Sequence, residues 1–113
     1  MPFINMKTNV AVSEQTKEAI KTDFGHAITA IPGKSEDWLM VGLEPDSSLW
    51  FKGTKDPAAM VEVSIFGNAT PADYEKLTKA ICKVVETHLN VSPSRTYVKY
   101  SEISEWGWNN KNF

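Results

Sequence analysis

Cysteine, histidine and clustered basic residues are scarce in this chain of 113 residues, and each scarcity excludes a class of protein. A single cysteine, Cys82, excludes an intrachain disulfide and a cysteine-rich metal site. The two histidines, His26 and His88, are far apart in the sequence, so we expect no metal site. A net charge of −2, with no local cluster of lysine or arginine, gives no electrostatic footprint for DNA or RNA.

Long apolar runs are also missing. No segment approaches the length needed to cross a membrane, and no basic start precedes an apolar run of signal-peptide length. We therefore expect no membrane partner and a soluble, cytoplasmic protein; secretion would need a route without a signal peptide. The 42% apolar and 23% charged content is that of an ordinary globular chain, and we expect one domain over residues 1–113.

The first half of the chain has the pattern strand, helix, strand. Residues 3–8 favour a strand, and Ser13 is a suitable cap for the helix that follows. Apolar residues recur along this helix at the spacing of one helical face, and Pro32-Gly33 ends it. The apolar run 38–43 then predicts a second strand.

The second half repeats this order at nearly the same spacing. Residues 60–66 predict a strand, Thr70 begins a helix with proline at its first position, and residues 95–101 predict a fourth strand. Two βαβ units follow, with parallel strands inside each unit, and the fold class is α/β (α+β) with one four-stranded sheet. Residues 50–52 predict a short extra edge strand.

Alternation along the predicted strands gives the sheet two unlike faces. The two helices can cover the apolar face, which carries Ile4, Met6, Leu39, Val41, Leu43, Val61, Val63, Ile65, Val98 and Tyr100. The other face mixes aromatic, charged and small polar residues, namely Phe3, Asn5, Lys7, Trp38, Glu62, Ser64, Phe66 and Lys99. Two helices cannot cover both faces, so the second face predicts contact with other subunits and a pocket between them; a half-solvated sheet in a monomer is the alternative.

The N-terminus carries the most distinctive chemistry in the chain. A small second residue, here Pro2, normally allows removal of Met1, which would leave the ring nitrogen of Pro2 as a free secondary amine. Because Pro2 enters an apolar strand, this amine would lie at the edge of the core, where burial lowers its pKa. An amine with a pKa near neutrality is suited to general base catalysis. Proline is also a common second residue with no special role, and Pro2 alone does not separate the two interpretations.

Five short segments in combination resemble the macrophage migration inhibitory factor and D-dopachrome tautomerase family. They are the start Pro2-Phe3-Ile4, the pair Gly33-Lys34, the pair Phe66-Gly67, the run from Arg95 to Tyr100, and the ending Gly107-Trp108-Asn109-Asn110 with Phe113. The resemblance spans the whole chain. It implies two βαβ units per subunit, with two helices on one face of the sheet, and a homotrimer whose sheets enclose a central channel.

The resemblance also implies an activity and a set of site residues. The activity is a cofactor-free keto–enol tautomerase for small aromatic carbonyl or enol acids, such as phenylpyruvate or dopachrome esters. Pro2 would be the base, and the ammonium of Lys34 would hold Pro2 uncharged and pair with the substrate carboxylate or enolate. The backbone N–H of Phe66 would bind a substrate oxygen, and Tyr97 would line the pocket from a neighbouring subunit.

This chain departs from the family pattern at three places. Lys99 replaces an asparagine, and its added charge predicts a lower Pro2 pKa and a preference for more acidic substrates. Trp38 replaces a tyrosine at the pocket edge. Ala58 and Val61 replace the two cysteines of a Cys-x-x-Cys motif, so thiol–disulfide chemistry is not expected.

Two interpretations stay open at the level of sequence. Trp106, Trp108 and Phe113 either pack a subunit contact or line the mouth of the active site, and both can hold for Trp108. The alternative function is a cytokine-like or partner-binding protein that keeps a vestigial pocket and acts through a protein receptor. A signalling role would depend on the outer surface, which carries no readable motif.

Overall fold

Two helices cover one face of a four-stranded sheet. The computed structural model describes all residues from Met1 to Phe113. The strands of the sheet are β1 (Pro2–Thr8), β2 (Met40–Glu44), β3 (Ala59–Phe66) and β4 (Thr96–Ile103), in the order β2-β1-β3-β4. The helices are α1 (Glu14–Ala27) and α2 (Pro71–Leu89). Pairing is parallel within β1–β2 and within β3–β4 and antiparallel between β1 and β3, which confirms the two predicted βαβ units.

Local capping sets the start of each helix. The Ser13 hydroxyl accepts a hydrogen bond from the Thr16 N–H at 3.1 Å before α1. Before α2, Thr70 and Asp73 form a reciprocal capping box, with a proline at the first helical position. These contacts satisfy N–H groups that have no partner within the helix, so the start of α2 lies where the sequence predicts it. No helix of the structure is long and apolar enough to cross a membrane.

The core lies between the helices and the predicted apolar face of the sheet. Its most deeply buried strand residues are Ile4, Met6, Val61, Val63 and Ile65, and its most deeply buried helical residues include Ile20, Phe24, Leu77, Ile81 and Val85. Burial of each such side chain contributes about 1.5–3 kcal/mol. No helix covers the opposite face, whose polar groups pair across strands: Asn5 donates to Glu44 at 2.7 Å, and Lys99 lies 3.4 Å from Glu62.

Two strand predictions were wrong in detail. Residues 50–52 add no strand to the sheet, because Phe51 bridges only to Thr54 across a tight turn in which Lys52 and Gly53 have positive φ values. Trp38 lies in a one-turn 3₁₀ helix, Glu36–Trp38, and the second strand begins only at Met40. In both places local turn geometry overrides the strand propensity of aromatic residues.

The C-terminal tail folds into a small hairpin that the sequence analysis did not predict. Strand β5 (Gly107–Trp108) pairs antiparallel with β6 (Lys111–Asn112). The two residues between them, Asn109 and Asn110, have φ values of 54° and 70°. Asparagine tolerates this left-handed conformation, which two-residue hairpin turns require.

Candidate active site

A cavity of about 850 Å³ opens at the end of the sheet where β1 begins. The chain brings several elements to this point because β1 and β2 start together while the antiparallel β3 ends there: Phe3 pairs with both Met40 and Ser64. Pro2 is buried and forms part of the wall. The cavity is lined by Met1, Pro2, Phe3, Asp37, Trp38, Leu39, Met40, Ser64, Ile103, Trp106, Gly107 and Trp108.

Hydrogen bonds connect Lys34 to Phe66 and Phe66 to Met1, the first residue of the chain. The Lys34 Nζ donates to the Phe66 carbonyl at 3.1 Å, and the Phe66 N–H donates to the Met1 carbonyl at 3.0 Å. The pKa of the Met1 amine is lowered, first by burial and then by the charge of the Lys34 ammonium and a hydrogen bond with it. A terminal amine at this end of β1 is therefore biased towards its neutral form.

Aromatic side chains form the outer wall of the cavity. The rings of Trp38 and Trp108 meet edge to face, with centroids 5.0 Å apart. Phe113 stacks on Trp108 at 6.4 Å and contacts Phe66 at 5.5 Å, so the C-terminal hairpin joins the wall to the residue that holds Lys34. Trp38 and Trp108 remain 49% and 50% exposed, which leaves both rings accessible from the cavity.

Tyr97 and Lys99 lie elsewhere on the same chain. Tyr97 pairs with Met60, five residues before the Ile65 that faces Pro2, a separation of about 17 Å along the strand. Its ring packs edge to face against Phe51. One chain therefore brings Pro2, Lys34, Phe66, Trp38 and Trp108 to one end of the sheet, and it leaves Tyr97 and Lys99 outside that group.

Comparisons with known proteins agree with this arrangement of elements. The family model described as "Macrophage migration inhibitory factor (MIF)" matches residues 1–112. The chain belongs to this family. Macrophage migration inhibitory factor of Rattus norvegicus is 27% identical over 115 residues, covering 100% of this chain and 99% of the relative.

Solved structures of the family have the same fold. Leishmania major MIF2 superposes with a TM-score of 0.94 at 27% identity, covering 100% of this chain and 97% of that one. Macrophage migration inhibitory factor of Toxoplasma gondii gives 0.91 at 26% identity, covering 98% of this chain and 99% of that one. The MIF family includes tautomerases and cytokine-like members.

Within this MIF-family chain, the cavity also contains residues that the sequence analysis did not select. Met40, Ser64, Ile103 and Trp106 contribute apolar or small polar wall, and Asp37 is the one acidic residue of the lining. The sequence analysis could not select Met40 and Ser64 because it did not give the register of strand pairing, which places Met40 on one side of Phe3 and Ser64 on the other. Asp37 could have been selected because it immediately precedes Trp38, which the sequence analysis had placed in the pocket.

Proposed function

We propose that this protein is a cofactor-free keto–enol tautomerase that acts on small aromatic carbonyl or enol acids, such as phenylpyruvate or dopachrome-type substrates. The observation that carries the proposal is the position of Pro2, buried in the wall of the large cavity with the Lys34 ammonium beside the chain terminus. The proposed base is the secondary amine that Pro2 gains when Met1 is removed.

Removal of Met1 would prepare the site in two ways. It converts the nitrogen of Pro2 from an amide, which has no useful basicity, into an amine. It also removes the Met1 carbonyl, which accepts the hydrogen bond of the Phe66 N–H in the full chain. The donor proposed to bind the substrate oxygen and the proposed base would thus become free together.

The proposed reaction moves one proton. In the keto-to-enol direction, the Pro2 amine takes a proton from the carbon next to the carbonyl, and the electron pair of that C–H bond moves towards the oxygen. The protonated amine then returns the proton to that oxygen. Lys34 pairs with the substrate carboxylate or the enolate, and Trp38 and Trp108 hold the aromatic ring. General base action of this kind contributes about 10²- to 10⁴-fold in rate.

Assembly is part of the proposal. We propose one domain over residues 1–113 and a homotrimer in which Tyr97 and Lys99 reach the cavity of a neighbouring subunit. Two observations support it: one face of the sheet has no cover within the chain, and Tyr97 is 57% exposed although it is a large aromatic residue. Exposed aromatic side chains are typical of the cores of protein interfaces.

The test is a tautomerase assay with phenylpyruvate on the wild type and on Pro2→Gly. Mass spectrometry first establishes that Met1 is absent in both proteins, and circular dichroism establishes that both are folded. We expect kcat/KM to fall at least about 100-fold in Pro2→Gly. Pro93→Gly makes the same chemical change outside the cavity and should retain turnover. Equal rates for the wild type and Pro2→Gly would refute Pro2 as the base.

A further inference from the structure

Asp37 is the one residue of the cavity wall with an ionisable side chain. The other lining side chains are apolar, aromatic or, in Ser64, a neutral hydroxyl. Asp37 forms no ion pair, and its carboxylate has no hydrogen-bond partner in the chain, whereas the carboxylates of Glu62 and Glu44 on the sheet are both paired. Asp37 therefore brings an unpaired carboxylate to a wall whose other side chains carry no charge, while the Lys34 ammonium lies beside the chain terminus.

The turn that carries Asp37 is fixed in place on both sides. The Leu39 N–H donates to the Glu36 carbonyl at 3.1 Å, which closes the 3₁₀ turn. The Glu36 side chain lies against α1 at Gly25, where the carboxylate occupies the space that a Cβ would need. Two neighbouring acids of one turn thus differ, since Glu36 packs on the helix and Asp37 borders the cavity.

We propose that Asp37 selects substrates by charge, favouring aromatic carbonyl acids whose ring carries a cationic substituent and rejecting those whose ring carries a second anion. This inference rests on the proposed function. The Lys34 ammonium would bind the acid end of the substrate near the chain terminus, which leaves the ring and its substituent to face the wall that holds Asp37. Apolar walls focus the field of a nearby charge, so the Asp37 carboxylate can attract a cationic ring substituent and repel an anionic one.

The expectation drawn from Lys99 is the opposite one. Lys99 predicts a preference for more acidic substrates, but in this chain it pairs with Glu62 at 3.4 Å and does not line the cavity. Asp37 does line the cavity and is unpaired. The order of substrate preference therefore tells which of the two charges acts on the substrate ring.

Three substrates of similar shape test the proposal. They are phenylpyruvate, 4-(aminomethyl)phenylpyruvate and 4-carboxyphenylpyruvate, assayed at low ionic strength because exposed charges are screened by salt. We expect kcat/KM to be about five- to tenfold higher for the cationic than for the anionic substrate. The ratio is modest because Asp37 is exposed, so that its attraction for the cation and its repulsion of the anion are each weak. Asp37→Asn should reduce this ratio to about one, and salt should reduce it in the wild type. Glu36→Gln removes a charge from the same turn and should keep the ratio.

A binding measurement separates failure of this inference from failure of the proposed function. Trp38, Trp106 and Trp108 line the cavity, so quenching of tryptophan fluorescence reports binding of the matching phenylacetates without turnover. No turnover of phenylpyruvate would refute the tautomerase, while tighter binding of the cationic phenylacetate, lost in Asp37→Asn, would still support the charge selection. Equal preference for all three compounds in the wild type, preference for the anion, or an unchanged ratio in Asp37→Asn would overturn the role of Asp37.

Discussion

Both ends of the sheet expose aromatic side chains, but the cavities and the charged groups beside these side chains differ. At one end, Pro2, Trp38 and Trp108 surround a cavity of about 850 Å³ beside a cation and a terminal amine with a lowered pKa. At the other end, Trp50 and Tyr97, each 57% exposed, border a cavity of about 240 Å³. The first end thus holds a partly buried chain terminus next to an ammonium group, and no chain terminus lies at the second end.

Different contacts stabilise each end: aromatic ring contacts at the Pro2 end and hydrogen bonds to main-chain carbonyls at the Tyr97 end. At the Pro2 end, ring contacts connect the C-terminal hairpin to the wall. At the Tyr97 end, the Asn9 amide donates to the carbonyls of Leu49, Lys55 and Asp56 at 3.1 Å each, and Arg95 donates to main-chain carbonyls of the same loop. A loop whose carbonyls are held by Asn9 and Arg95, with aromatic residues on its outside, is suited to contact with a second subunit. We infer that one subunit's Tyr97 end completes the Pro2 end of its neighbour.

Replacement of Lys34 should cause the largest loss of activity, because Lys34 lies at the Pro2 end of the sheet. In Lys34→Ala the substrate loses its cationic partner, and we expect kcat/KM for phenylpyruvate to fall about 100-fold. Burial and then the charge of Lys34 lower the pKa of the Met1 amine in the full chain, and we expect Lys34 to act in the same way on the Pro2 amine, whose pKa should therefore rise in Lys34→Ala. Since the neutral amine is the active form, the acidic limb of the pH profile of kcat/KM should move to higher pH.

Lys21→Ala is the matched control for this experiment, since Lys21 is an exposed lysine on α1 whose only ion pair is with Glu18. It should leave both the rate and the pH profile unchanged. A Lys34→Ala enzyme with wild-type kcat/KM and an unmoved acidic limb would show that Lys34 serves only to hold the Phe66 carbonyl.

Replacement of Asn9 should instead destabilise the Tyr97 end, which we propose contacts a neighbouring subunit. The Asn9 side chain also accepts a hydrogen bond from the Ala58 N–H at 3.0 Å, so Asn9→Ala leaves several main-chain groups of the loop without their partner. We expect the free energy of unfolding to fall by about 1–3 kcal/mol, measured by urea denaturation. Because the loop carries Trp50, sedimentation should also show a weaker trimer, and the loss of activity should be greater at low protein concentration.

The control is Asn68→Ala, which removes an exposed asparagine without side-chain hydrogen bonds near the opposite end of β3. Its stability and sedimentation should match those of the wild type. A full loss of activity in Asn9→Ala at every protein concentration, with the trimer intact, would contradict the division between the two ends.

The fold was largely predictable because its signals are local. The cap at Ser13, the capping box at Thr70 and the alternation along the strands set element starts and faces through contacts within a few residues. The errors fell at tight turns, where local turn geometry overrides the strand propensity of aromatic residues. At residues 50–52 the sequence also could not show that Asn9, some 40 residues earlier, donates to the carbonyls of Leu49 and Lys55 on either side of the turn.

Pro2 was selected from its own chemistry, and the rest of the candidate site was predictable only where the family resemblance supplied it. Pro2, Lys34 and Trp108 are separated in the sequence, and no periodicity would have joined them. The position of Asp37 depends on the turn that ends before β2, and this turn replaced the predicted strand start at residue 38. The hairpin had a local signal, the pair Asn109-Asn110, which favours a two-residue turn between short strands.

Lys99 lies between the two ends, and its replacement should give the smallest effect. Lys99→Asn removes a positive charge that is exposed and already paired with Glu62, so the pKa of the Pro2 amine should rise by only a few tenths of a unit. Titration of the ¹⁵N-labelled amine by NMR measures this change. Glu62→Gln frees the same ammonium and should move the pKa in the opposite direction. An unchanged Pro2 pKa in both variants would mean that the charge of Lys99 never reaches the neighbour's Pro2 end, whereas a rise as large as that in Lys34→Ala would place Lys99 inside the cavity of the assembled protein.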